Sequence, residues 1–146
     1  MKIRPIDIKD NRELSLVIRS VLIEMGVPKT GTAYEDEELD AMYESYLGLR
    51  AIYYVITEGE KILGGAGIAP LQEGDPSVCE LQKMYFSPKV RGKGLGHQMI
   101  DTCIDFAKWV KDYQFMLYGT ISSVCLIQFN TYINSKRLPG NCHIPT

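Results

Sequence analysis

The apolar positions of this chain change period several times, and each change marks an element. Residues 2–8, KIRPIDI, alternate apolar and polar side chains as a strand does, with Pro5 suited to an edge position. After Asp10, a candidate helix cap, Leu14, Val17, Ile18, Val21, Leu22 and Met25 recur at helical spacing until Gly26 and Pro28 stop them. Residues 29–35 read as a loop. Asp36 opens a second helical pattern through Leu39, Met42, Tyr43, Tyr46 and Leu47, which ends at Gly48.

From residue 51 the period becomes that of a sheet. AIYYVIT (51–57) is β-branched and aromatic, EGEK (58–61) is a hairpin turn, and ILGGAGIAPL (62–71) is the returning strand. Gly64, Gly65 and Gly67 would weaken a plain strand, so they predict a bulge or a close backbone approach. A further turn at 72–77 leads to a third strand, VCELQKMYF (78–86). A helix is expected from Gly94 or Gly96 to Val110, with Leu95, Met99, Ile100, Cys103, Ile104 and Ala107 on its buried face. QFMLYG (114–119) reads as a strand and 121–135 as another amphipathic helix, before Pro139 and Gly140 break the pattern. The order βααβββαβα predicts one mixed α/β domain over residues 1–146, with helices on both faces of its sheet.

Composition narrows the class. With 146 residues, 45% apolar and 23% charged, the chain is an ordinary globular domain in size and make-up. No apolar stretch approaches the ~20 residues of a membrane span, and MKIRPIDIKD lacks the apolar core of an export signal. The expectation is a cytoplasmic protein with no membrane contact. Cys79, Cys103, Cys125 and Cys142 lie 24, 22 and 17 residues apart without a C-x-x-C pair, and His97 and His143 are far apart. No metal site or disulfide framework is expected. Trp109 is expected to pack and His143 to be exposed.

The net charge of −2 argues against a nucleic-acid binder, but its distribution is uneven. Residues 1–50 carry seven basic and ten acidic side chains, five of the acids falling between Glu35 and Asp40. That run is expected to cap and solvate the second helix. From Leu81 to Ile100 there are Lys83, Lys89, Arg91 and Lys93 and no acid. Within this stretch SPKVRGKGLGHQMI (87–100) joins a strand to a helix through glycines and positive charge. Unpaired amides at a helix start, closely approachable because glycine has no Cβ, suit a pyrophosphate. A Walker loop requires G-K-[ST], and Gly94 is followed by Leu95. A Rossmann turn requires G-x-G-x-x-G, whereas Gly92, Gly94 and Gly96 are spaced two and two.

The pattern R-x-x-G-x-G, made by Arg91, Gly94 and Gly96 directly after a strand, resembles the acetyl-CoA motif of the GNAT superfamily of N-acetyltransferases. CELQKMYFSPKVRGKGLGHQMIDTCIDFA (79–107) is similar to that superfamily's central strand, loop and helix, and GGAGIAP to the strands before it. The resemblance spans residues 1 to about 123. It implies a GNAT-like fold with a mixed, mostly antiparallel sheet, and transfer of an acetyl group from acetyl-CoA, as co-substrate, to a small-molecule or peptide amine. It further implies that the amides of Arg91, Gly92, Lys93, Gly94, Leu95 and Gly96 hold the pyrophosphate, with His97 beside them. The backbone of Met84, Tyr85 and Phe86 would pair with the pantetheine arm, and the Tyr85 N–H would polarise the acetyl carbonyl. Glu80 is the implied base, directly or through water, its other reading being a strand carboxylate paired with Lys83. Tyr132 and Tyr118 are the candidates for the acid that protonates the leaving thiolate.

The superfamily pattern ends with a helix and two more strands. Here at most 11 residues follow the expected last helix, so the final strand pair is expected to be missing or altered. A second copy of the chain would then cover the open sheet edge. The competing expectation is a GNAT-fold module that holds acyl-CoA without turnover.

Overall fold

The computed structural model describes residues 1–71, 73–74 and 77–110, and the backbone of residues 118 and 119. Five strands form one sheet in the order β1 (Lys2–Pro5), β2 (Ile52–Glu58), β3 (Lys61–Pro70), β4 (Cys79–Phe86) and β5 (Tyr118–Gly119). Neighbours are antiparallel up to β4, and β5 runs parallel to β4. The mixed, mostly antiparallel sheet expected from the sequence is therefore observed. The expected helix at 121–135 and the expected change to the last strand pair lie outside the described residues, as do Cys125, Cys142 and His143.

Helices cover both faces, as the order of periods predicted. Helix α1 (Asn11–Glu24) buries Leu14, Ile18 and Leu22 against Tyr53 and Val55 of β2 and Ile62 of β3. Helix α3 (Leu95–Trp109) buries Met99, Ile100, Cys103 and Ile104 on the opposite face, against Ile56, Ala66, Ile68 and Leu81. Cys79 and Cys103 are free, fully buried thiols, and burial pushes them up to about 11 and about 12 respectively.

Several local expectations are corrected. Strand β1 ends at Pro5 rather than residue 8, although the Ile6 N–H still reaches the Tyr53 carbonyl at 2.9 Å. Asp10 sits at the start of α1 without capping it. Its carboxylate instead accepts from both arms of the Arg4 guanidinium, at 2.7 and 3.0 Å, and from the Asp7 N–H. Trp109 is 74% exposed, touching only the ring of Phe106 among the described aromatic side chains.

The second predicted helix breaks into short pieces. Two 3₁₀ turns, Ala33–Glu35 and Glu37–Asp40, precede a single α-helical turn, α2 (Met42–Ser45). Polar side chains compete successfully for the backbone here. Thr32 and Asp36 each cap a 3₁₀ turn, Asn11 accepts the Tyr43 N–H at 2.8 Å, and the Arg19 fork holds Asp40. Leu39, Met42 and Tyr46 nonetheless keep their common buried face. The hydrophobic spacing located the face but not the continuity of the helix.

The glycines of β3 mark both a bulge and a close approach. Register slips between Gly65 and Gly67, where Ala66 of β3 faces both Lys83 and Met84 of β4. A Cβ on Gly65 would lie 2.4 Å from the Tyr53 ring, and one on Gly67 would lie 2.5 Å from the Tyr46 ring. The tyrosine rings occupy the space that those side chains would need.

Candidate active site

The site is organised by the bulge in β4. Lys83 takes φ +49°, a left-handed conformation that a side chain other than glycine, Asn or Asp seldom adopts. Its carbonyl accepts the Tyr53 hydroxyl at 2.8 Å. The extra residue inverts the alternation of the strand. Before it, Cys79 and Leu81 face α3; after it, Met84 and Phe86 do, while Tyr85 packs on the α1 side.

Glu80 and Gln82 share the face occupied by Tyr46. Gln82 Nε2 donates to Glu80 Oε2 at 2.9 Å, and the Tyr46 hydroxyl donates to Gln82 Oε1 at 2.8 Å. Burial, reinforced by the charges of Glu38 and Glu80, pushes the Tyr46 phenol well above its ordinary value. It therefore acts as a neutral donor. The Lys83 ammonium reaches Glu38, and Asp36 at 3.6 Å, so the acidic run contributes to the site as well as capping its turns.

After Phe86 the chain turns through residues 87–94 into α3. The Val90 N–H closes on Ser87 and the Arg91 N–H on Pro88, at 2.9 and 3.2 Å, while buried Val90 anchors the loop. Gly92 and Gly94 have φ of +74° and +75°, which glycine adopts at little cost. The first helical bond to the loop is Gln98 N–H to the Gly94 carbonyl. Among the described residues, no well-aligned hydrogen bond runs from the amides of Gly92, Lys93, Gly94, Leu95 or Gly96 to a backbone carbonyl, although residues 91–94 keep weaker turn contacts. Five consecutive donors at the positive end of a 15-residue helix form a seat for an anion.

The Arg91 side chain is committed to the loop itself. Its guanidinium bonds both oxygens of Glu24 at 2.7 and 2.9 Å, and donates to the Phe86 carbonyl at 2.9 and 3.1 Å. Lys93 and His97 are exposed, His97 in the first turn of α3. Gly96 abuts β4: a Cβ there would meet Phe86 and Met84 at 3.6 and 3.7 Å. The strand end, loop and helix start are thus one packed unit.

Of the two candidate acids, Tyr118 stands opposite Glu80 in the β4–β5 register. Tyr132 lies outside the described residues. Sequence reasoning missed Tyr46, Tyr53 and Gln82. The glycines at 65 and 67 were the available signal, because they predicted a close approach without naming what approaches. Among the described residues no group of three or more His, Cys, Asp or Glu could hold a metal ion, and no helix is long and apolar enough to cross a membrane.

Comparison with known proteins gives a consistent picture. The model of the acetyltransferase (GNAT) family matches residues 20–119. The uncharacterised N-acetyltransferase YjgM of Escherichia coli K12 is 39% identical over 97 residues, which are 66% of this chain and 58% of that relative's length. An acetyltransferase of the GNAT family from Staphylococcus aureus Mu50 superposes with a TM-score of 0.73 at 20% identity, covering 94% of this chain and 88% of that one. The PaiA N-acetyltransferase of Thermoplasma acidophilum, solved in complex with coenzyme A, superposes with a TM-score of 0.66 at 16% identity, covering 92% and 87%. At these identities the structural likeness concerns the fold.

Proposed function

The chain belongs to the acetyltransferase (GNAT) family, and from that membership we propose that it transfers the acetyl group of acetyl-CoA directly to a primary amine, with both substrates bound together. The observation that carries this reading is the row of amides from Gly92 to Gly96, continuous through a packed loop with the strand that bears Glu80. The coenzyme A bound by the Thermoplasma relative supports the same ligand class.

Acetyl-CoA would supply an activated acetyl thioester. The five amides and the α3 dipole hold its pyrophosphate, and the backbone of Met84, Tyr85 and Phe86 lies beside its pantetheine arm. The Tyr85 N–H is the donor assigned to the acetyl carbonyl, a contribution of ~3 kcal/mol in comparable sites. Arg91 serves here by locking the loop to β4 and α1 rather than by meeting phosphate with its side chain. Glu80 takes the proton that the acceptor's ammonium must lose before its nitrogen attacks. As the C–N bond forms and the C–S bond breaks, a phenol protonates the sulfur, and the second proton released by the acylated nitrogen restores the phenol. Tyr118, opposite Glu80, and Tyr132 are the candidates.

The test is thiol release from acetyl-CoA with a panel of ethanolamine, spermidine, glycinamide and a lysine-containing peptide. Wild type should release thiol with at least one amine, and Glu80→Gln should lower kcat about a hundredfold while still binding acetyl-CoA. Binding without thiol release from any amine would favour the acyl-CoA-holding module.

A further inference from the structure

We infer that Tyr46 and Gln82 form a positioning relay for Glu80, in which the buried phenol fixes the amide and the amide fixes the carboxylate. The inference rests on the reading of Glu80 as the base. A carboxylate can only accept hydrogen bonds, so the Gln82 amide must present its nitrogen to Glu80. A glutamine amide can turn over and present oxygen instead, which would repel the carboxylate. Tyr46 supports the productive orientation by donating its hydroxyl hydrogen to Gln82 Oε1 at 2.8 Å, leaving Nε2 to meet Glu80 Oε2 at 2.9 Å.

The parts of the relay come from separate segments and are held firmly. Tyr46 is 7% exposed and its ring lies 5.2 Å from that of Tyr53. Gly67, opposite Gln82 in the ladder, leaves room for the Tyr46 ring. Immediately after Gln82, Tyr53 pins the bulge through the Lys83 carbonyl. Two neighbouring phenols thus fix consecutive positions of β4, one through a side chain and one through the backbone.

The relay has a measurable consequence. It holds the carboxylate in one place, so losing it lowers kcat more than it weakens acetyl-CoA binding.

The experiment compares wild type, Tyr46→Phe, Gln82→Met, the double variant and Glu80→Gln. The acetyl-CoA affinity of each is measured by calorimetric titration. Thiol release from acetyl-CoA is followed with the fastest amine of the panel above. Tyr46→Phe should lower kcat less than Gln82→Met does, in the same direction. Gln82→Met should lower kcat about tenfold with acetyl-CoA affinity unchanged, and the double variant should match Gln82→Met, because the phenol acts through the amide. If Glu80→Gln loses activity while both relay variants keep the wild-type kcat, the relay is wrong and the assignment of the base stands. If Glu80→Gln keeps full activity, the base assignment fails and takes the relay with it. Additive losses in the double variant would also overturn the relay, since they place the two side chains in independent roles.

Discussion

Gly67 and Tyr46 meet where no side chain other than hydrogen fits: a Cβ on Gly67 would stand 2.5 Å from the ring of Tyr46. Gly67→Ala must therefore displace a buried ring flanked by Tyr53. The substitution should destabilise the fold by ~1–3 kcal/mol, as overpacking generally does. Urea unfolding will measure it, with Gly48→Ala as the comparison, because a Cβ at Gly48 meets nothing within 4 Å. Equal stability of the two variants would contradict the packing described.

That glycine also shows how far the sequence could be read. Helix α3 was legible because its apolar period is regular and long, and the glycine loop because Gly92 and Gly94 sit where φ is positive. The bulge was half legible. The β3 glycines announced a disturbance, but its counterpart is Lys83, a residue type that ordinarily gives no sign of a left-handed backbone. The broken second helix was not legible, because Asn11 and Arg19, which fix it from α1, lie far away in the chain. The relay depends likewise on Tyr46 and Gln82, 36 residues apart, which no local pattern joins.

Tyr53→Phe tests what holds the bulge. The ring remains, but the Lys83 carbonyl loses a buried donor at 2.8 Å. A loss of ~1–2 kcal/mol is expected in urea unfolding. An unchanged midpoint would mean that the bulge does not depend on this hydroxyl.

Asp10 predicts a pH dependence. Burial pushes its carboxyl up, but the Arg4 hydrogen bonds, the Asp7 N–H and nearby positive charge outweigh this and hold it below the ordinary aspartate value of 3.8. A carboxyl lowered by folding contributes stability above its unfolded value and loses it as pH falls through the folded one. Asp10→Asn should cost ~2 kcal/mol at pH 7. The gap from wild type should narrow as pH falls below 3.8. A gap that stays constant from pH 7 to pH 2.5 would contradict the ion pair's part in stability.

Arg91 and Glu24 separate loop fixation from charge. Glu24→Gln removes a negative charge beside the proposed anion seat while leaving Arg91 bonded to the Phe86 carbonyl. Acetyl-CoA binding should tighten about threefold at low salt, and the gain should vanish near 1 M salt. Arg91→Ala loses both the charge and the clamp on β4, and should weaken binding about tenfold. Equal weakening by both variants would show that the ion pair, rather than the Phe86 bond, secures the loop.

Calorimetric titration with acetyl-CoA tests the central claim, that the loop ending β4 and the start of α3 form an acyl-CoA seat. The account predicts one site with a dissociation constant of about 1–100 μM, or roughly −8 to −5.5 kcal/mol, and competition by coenzyme A. Absence of binding at millimolar acetyl-CoA would contradict it.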